Sequence, residues 1–177
     1  MDDMVLAAMK KWPNVPACFG WLGLDARGDW YMRDDSAQTA GTFGDPASPI
    51  AAKGSRLQHQ GLIGFIGRNY TSDQQGRWYF QNGPQQVFVE LESAPWVLHF
   101  DTAQRVVTHT GQPFEVTQAW TDEHGRVYLS HQSHIGLIRS QDMAAFVDAW
   151  ERHSWPMSEA QLADLEVRFA YVRHPRP

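Results

Sequence analysis

Three stretches decide how this chain is read: Leu24-Asp25-Ala26-Arg27-Gly28-Asp29-Trp30-Tyr31-Met32, Ser72-Asp73-Gln74-Gln75-Gly76-Arg77-Trp78-Tyr79-Phe80 and Thr121-Asp122-Glu123-His124-Gly125-Arg126-Val127-Tyr128-Leu129. All follow Asp-x-x-Gly-x-[Trp/Val]-Tyr-apolar, with the Asp residues 48 and then 49 positions apart. An Asp opening a type I turn accepts hydrogen bonds from amides just ahead of it, and a Gly three residues on takes the left-handed conformation of a G1 bulge. Strand-favouring residues flank each copy, so three β-hairpins are predicted. The spacing suggests a repeat. However, a second similarity, Leu57-Gln58-His59-Gln60 against Leu129-Ser130-His131-Gln132, has an offset of 72, which cannot belong to the same tandem unit. Shared turn chemistry is the simpler cause.

The turns fix register, and register sorts side chains by face. Leu22, Leu24, Trp30 and Met32 share one side of the first hairpin, with Trp21, Gly23, Tyr31 and Arg33 on the other. The second sets Tyr70, Ser72, Trp78 and Phe80 against Asn69, Thr71, Tyr79 and Gln81. The third sets Ala119, Thr121, Val127 and Leu129 against Gln118, Trp120, Tyr128 and Ser130. The apolar sides are core. The mixed sides admit two readings: a second, half-buried layer with satisfied hydroxyls, or an exposed surface of aromatic platforms fringed by amides, suited to sugars, peptides or small planar ligands. On the second reading Trp21, Tyr31, Arg33, Tyr79, Gln81, Trp120 and Tyr128 are the binding residues.

Further strands are expected at Leu62–Tyr70, Trp78–Gln81, Gln86–Glu92, Trp96–Asp101, Arg105–His109, Phe114–Thr121, Arg126–His131 and Ile135–Ile138. Asp2–Trp12 reads as a short helix stopped by Pro13. Near the C-terminus, Ser140 caps a helix carrying Met143, Phe146, Val147 and Trp150. Ser158 and Gln161 form a capping box before a stripe of Leu162, Leu165, Phe169 and Val172. The tail from His174 is expected to fray. Residues 34–56, rich in Ala, Gly, Ser and Pro, read as a long loop of the kind that forms lids or binding loops. The fold class expected is α+β: a mainly antiparallel β meander or partly closed barrel with a short N-terminal helix and two C-terminal helices (140–173). Residues 1–177 are taken as a single domain, since domains run to about 150 residues.

Composition narrows the function. Apolar residues make up 42% of the 177 and charged residues 20%, an ordinary globular balance. Net charge of −5 and pI near 5.9 argue against nucleic acid, whose binders usually carry a basic face. No secretory signal or membrane-spanning stretch is read, and one cysteine excludes an internal disulfide, so a cytoplasmic location is expected.

Chemistry-bearing residues are sparse. Cys18 has no cation, His or helix N-terminus placed by sequence to activate it. Read as a continuous strand, His131-Gln132-Ser133-His134 puts its imidazoles on opposite faces. His99 and His109 are two ligands where three or four are needed. Glu90 and Glu92 share a strand face without requiring a role, and Gly61–Gly67 lacks the Lys-Ser/Thr and following helix of a phosphate loop. No metal and no cofactor are therefore expected.

The segments Val15-Pro16-Ala17-Cys18-Phe19-Gly20-Trp21-Leu22 with Leu24-Asp25, and Arg68-Asn69-Tyr70 through Gln81-Asn82-Gly83-Pro84, resemble an uncharacterised bacterial family, a domain of unknown function, over nearly the whole chain. The resemblance implies no activity, cofactor or site. The expectation is a non-catalytic binding or interaction module for a small molecule or protein. The alternative is a small enzyme whose pocket involves Cys18 or a histidine under the 34–56 loop. A homo-oligomer formed through an exposed strand edge is a third expectation.

Overall fold

The computed structural model describes Met1–Pro177 and divides into two compact units: Met1–Asp25, Asp29–Glu92 and Val172–Pro177 form the first, and Ala26–Gly28 with Ser93–Tyr171 the second. The class is α+β, with two mixed six-stranded sheets; neither closes into a barrel.

In the first unit helix α1 (Asp3–Lys11) precedes β1 (Cys18–Leu24), β2 (Trp30–Met32), α2 (Asp35–Ala40), β3 (Ser55–Arg56), α3 (Gln60–Arg68), β4 (Tyr70–Ser72), β5 (Trp78–Asn82) and β6 (Gln85–Leu91). The second holds β7 (Trp96–Phe100), β8 (Val106–Thr108), β9 (Gln118–Thr121), β10 (Val127–His131), β11 (His134–Ile138), α4 (Met143–His153), β12 (Met157–Glu159) and α5 (Leu162–Arg168).

The sheets run β3-β2-β1-β6-β5-β4 and β12-β9-β10-β11-β7-β8, and they share one five-strand plan. A hairpin, β1–β2 or β7–β8, lies beside an antiparallel meander, β4–β5–β6 or β9–β10–β11. The hairpin's first strand pairs in parallel with the meander's last, Leu22 opposite Val89 and Val97 opposite Leu137. Even the residue leaving each hairpin is matched: Arg33 N–H donates to Trp21 O at 2.9 Å and His109 N–H to Val97 O at 2.7 Å. Three parallel pairings (β1·β6, β7·β11, β9·β12) thus interrupt the expected antiparallel meander.

All three hairpin registers hold, with Leu24 opposite Trp30, Tyr70 opposite Phe80 and Tyr128 opposite Trp120. The turn chemistry is also as read, and it occurs a fourth time. Asp73 Oδ1 accepts from the Gln75 and Arg77 amides and Oδ2 from Arg77 Nε at 2.8 Å. Asp122 does the same with His124 and Arg126, and so does Asp101 with Ala103 and Arg105. At the fourth turn Gln104, at φ 60°, occupies the left-handed position held elsewhere by Gly28, Gly76 and Gly125. That substitution hid the motif, since a side chain there costs about 1–2 kcal/mol and glycine is the usual signal.

Elsewhere the expectations change. Residues 62–68 are helix, not strand: Leu62, Ile63, Phe65 and Ile66 have helical spacing, the His59 side chain accepts from Leu62 N–H, and Phe65 meets Phe80 edge-on at 5.4 Å. Burial of Ile66 together with that contact offsets the roughly 1 kcal/mol each interior glycine costs a helix. Residues 34–56 are not a structureless loop. Asp34 Oδ1 caps α2 through Ala37 N–H, Ile50–Lys53 form a 3-10 turn, and β3 pairs with β2. Before α4, Ser140–Asp142 form a 3-10 turn of their own rather than a Ser140-capped start. Ser158 lies in β12 and the Glu123 carboxylate accepts from Leu162 N–H, so no Ser158–Gln161 box forms. The tail is pinned: His174 and Arg176 both reach the buried Glu90, and Val172 N–H donates to Gly76 O.

The second unit's core gathers Leu98, Val106, Ala119, Val127, Leu129, Ile138 and Phe146. The first buries Leu22, Leu24, Trp30, Phe43, Ile66, Phe88 and Leu91.

Candidate functional site

The expected binding residues separate by burial. Tyr128 is fully buried, its hydroxyl donating to Asp122 Oδ2 at 2.8 Å and lying 2.7 Å from Ser93 Oγ. Burial raises its pKa far above that of a free phenol, and the hydrogen bond to the Asp122 carboxylate adds to the rise. Trp120 is buried, with Nε1 donating to Ser130 Oγ, Phe169 edge-on and the Arg168 guanidinium over its ring. Tyr79 and Gln81 are buried too, and Gln81 Nε2 donates to Gly83 O. At these positions the mixed faces form a buried second layer and present no exposed aromatic surface. The cause is generic: a Tyr or Trp with one polar atom is as easily satisfied inside as at a surface.

Tyr31 is half-buried beneath Lys53, whose ammonium lies 5.5 Å from the ring centroid. Lys53 also pairs with Glu92 at 2.8 Å and Asp25 at 3.6 Å. Burial works against the Lys53 charge, but the hydrogen bond to Glu92 and the two carboxylates outweigh it and hold its pKa above the ordinary lysine value. A lysine so paired stays protonated and is no nucleophile.

Trp21 remains exposed, at 41%, as does Met32 at 45%. The two line a hollow of about 400 Å³ with Arg33, Asp34, Ser36 and Ser55. Arg33 forms its wall as a structural peg. Only 3% exposed, it donates through Nε to Ala52 O at 2.7 Å, through Nη2 to Gly41 O at 2.7 Å and Ala37 O at 3.3 Å, and through Nη1 to Gly20 O at 3.4 Å. Four carbonyls from the strand and the 34–56 segment thus converge on one guanidinium, whose planar fork suits them as an ammonium would not. Nothing in the local composition of 34–56 signals this; the organising residue lies just outside it.

The second unit has its own hollow, about 390 Å³, lined by Trp96, Phe114, Glu115, His131 and His134 among others. His131 Nε2 lies 3.1 Å from Glu115 Oε2. This is a histidine facing a hollow beside a polar group, the feature that would favour an enzyme. Yet a general base needs one nitrogen on an orienting carboxylate and the other toward substrate. Here the other, Nδ1, is buried, so the arrangement fits ligand binding better than proton transfer. Cys18 is half-buried at the start of β1 and lines none of these hollows. His109 accepts from Val97 N–H through Nδ1 with Nε2 away from solvent, which turns both nitrogens inward.

Comparison with known proteins adds a family but no chemistry. The DUF2944 family model, described as "Protein of unknown function (DUF2946)", matches residues 1–176. A search of the curated proteins finds no match. Among solved structures, a DUF1285 family protein from Silicibacter pomeroyi DSS-3 is similar, with a TM-score of 0.49 and 12% identity over 84% of each chain. No helix is long and apolar enough to cross a membrane.

Proposed function

The chain belongs to the DUF2944 family of proteins of unknown function, and from its geometry we propose a non-catalytic cytoplasmic binding module whose ligand seat is the Trp21 hollow. The observation that carries the reading is the pairing of an exposed Trp and Met over a hollow whose wall is locked by Arg33. Exposed large apolar side chains beside a concavity are what a small-ligand seat requires. The polar edge, Asp34, Ser36 and Ser55, suits a small molecule with one flat or CH-rich face and hydroxyl or amide groups around it. Because Arg33 fixes the surrounding backbone beforehand, little ordering entropy is lost on binding. A reducing compartment fits a chain whose one cysteine has no partner.

The test is ¹⁹F NMR of protein labelled with 5-fluorotryptophan, the Trp21 signal assigned through Trp21→Phe. Titration with a panel of sugars, amino-acid amides and nucleosides is expected to give a saturable shift of that signal for one chemical class, abolished by Trp21→Ala. A Trp21 signal unmoved by every panel member at millimolar concentration overturns the reading.

A further inference from the structure

We infer that the hollow of the second unit binds a small alkylated ammonium compound, a permanent organic cation with an apolar body. The site shares no residue with the Trp21 seat and does not rest on that reading. Its volume, about 390 Å³, suits a small ligand. The walls are aromatic and fixed in advance. Trp96 opens β7, Phe114 follows β8, and both pack against the second unit's core while lining the hollow. Trp96 also meets the His109 ring, the centroids 5.8 Å apart. Phe114 N–H donates to Val106 O at 2.9 Å, Thr108 N–H to Gln112 O at 2.8 Å and Gln112 N–H to Thr108 Oγ1 at 3.1 Å. The stretch 112–114 is thereby tied to β8 before any ligand arrives, which keeps the ordering cost of binding low. On the far side the chain reverses at Gln132, φ 53°, so that His134 stands opposite His131 and both line the hollow.

Charge selects the occupant. No lysine or arginine lines the hollow, and with histidine counted neutral its one formal charge is the Glu115 carboxylate. His131 Nε2 lies 3.1 Å from Glu115 Oε2, while His131 Nδ1 is buried without a hydrogen-bond partner. A proton on Nδ1 would be buried and unpaired, so the ring's single proton sits on Nε2 and is donated to Glu115. That bond holds the carboxylate at the rim and leaves its negative charge uncancelled. The chain's net charge of −5 adds attraction for a cation at longer range. A cation over the faces of Trp and Phe is drawn further by the ring quadrupoles. The shortage of acceptors points to alkylation. A primary ammonium brings three N–H donors and a guanidinium five, but Thr108 Oγ1 is already bonded to Gln112 N–H and to the Thr110 hydroxyl, leaving Glu115 as the charged acceptor. Methyl groups in place of those donors present apolar surface that Trp96, Pro113 and Phe114 can cover.

The experiment is ¹⁹F NMR of the full chain labelled with 5-fluorotryptophan, the Trp96 signal assigned through Trp96→Phe, titrated with choline and with its uncharged carbon analogue, 3,3-dimethylbutanol. Choline is expected to shift the Trp96 signal saturably at millimolar concentration. The analogue has the same shape without the charge and is expected to bind at least about tenfold more weakly. Glu115→Gln, at a side chain 80% exposed, is expected to weaken choline about two- to fivefold, the size of a solvated ion pair, and to leave dimethylbutanol unchanged. Phe114→Leu keeps apolar volume but removes a ring, and is expected to weaken choline more than dimethylbutanol. Equal affinity for the two probes, or a Trp96 signal unmoved by choline, overturns the assignment. The Trp21 signal in the same spectra reports the other seat separately, so failure of either site is distinguishable from failure of both.

Discussion

Replacing Arg33 with Met tests whether one side chain organises residues 34–56. Two of its hydrogen bonds, to Ala52 O and Gly41 O, are short at 2.7 Å, and two, to Ala37 O and Gly20 O, are long at 3.3 and 3.4 Å. A hydrogen bond to a charged group contributes about 1.5–3 kcal/mol, so the short pair sums to roughly 3–6 kcal/mol and the long pair adds a little. Against this, methionine relieves the desolvation of a 3%-exposed guanidinium, whose pKa burial depresses. Offsetting roughly 1–2 kcal/mol for that relief gives an expected net loss of about 1–5 kcal/mol. Arg33→Lys is expected to lose at least as much, because it keeps the buried charge but lacks the planar fork. Urea unfolding gives the free energy. Amide hydrogen exchange localises it: Gln38, Ala52 and Gly54 N–H should lose protection while the β1·β6 ladder retains it. An Arg33→Met protein within about 0.5 kcal/mol of wild type, with protection of those amides unchanged, would refute the peg.

Two further outcomes follow from buried charge. Burial pushes the Glu90 carboxyl up, but hydrogen bonds from His174 and Arg176 outweigh it and hold its pKa below the ordinary value. Deleting residues 174–177 should therefore cost about 2–3 kcal/mol, at or below the roughly 3–5 kcal/mol of a fully buried pair because Arg176 is 61% exposed; Glu90→Gln in that background should recover part, measured by thermal and urea melts. Burial, with His99 nearby, lowers the His109 pKa to about 3. The folded state then refuses a proton that the unfolded chain accepts below about 6.5, so stability falls as pH drops from about 6.5 toward 3, by up to about 1.4 kcal/mol per pH unit. His109→Gln should flatten that stretch of the pH–stability curve, and an unaltered slope would exclude His109 as its source.

What was legible in the sequence was whatever short-range chemistry writes. Asp73 and Asp122 announce their turns because carboxylate, amide and left-handed Gly must fall within five residues, and strand register follows from the turn. Gln104 shows the limit, as the same Asp101–Arg105 network forms without the glycine that signals it. Burial of Tyr128 and Trp120 was not legible, since their partners Ser93 and Phe169 lie 35 and 49 positions away. Residues 34–56 read as a loop because their order comes from Arg33 and from Phe43, whose ring occupies the space a Cβ on Gly23 would need. The parallel pairings were invisible for the same reason. A linear reading of His131 to His134 as strand puts the two on opposite faces because no Gly or Asn marks the turn between them.

The return of Val172–Pro177 to the first unit has a consequence for synthesis. Translation adds about 5–20 residues per second, so β1 waits roughly 3–13 s for the β6 residues that pair with it 67 positions later. The bond from Val172 to Gly76, and the charges His174 and Arg176 bring to Glu90, come from residues made after every strand of the second sheet. The half of the molecule that is made first is thus completed late, and until residues 172–176 reach it, it carries a buried acid awaiting its counter-charges.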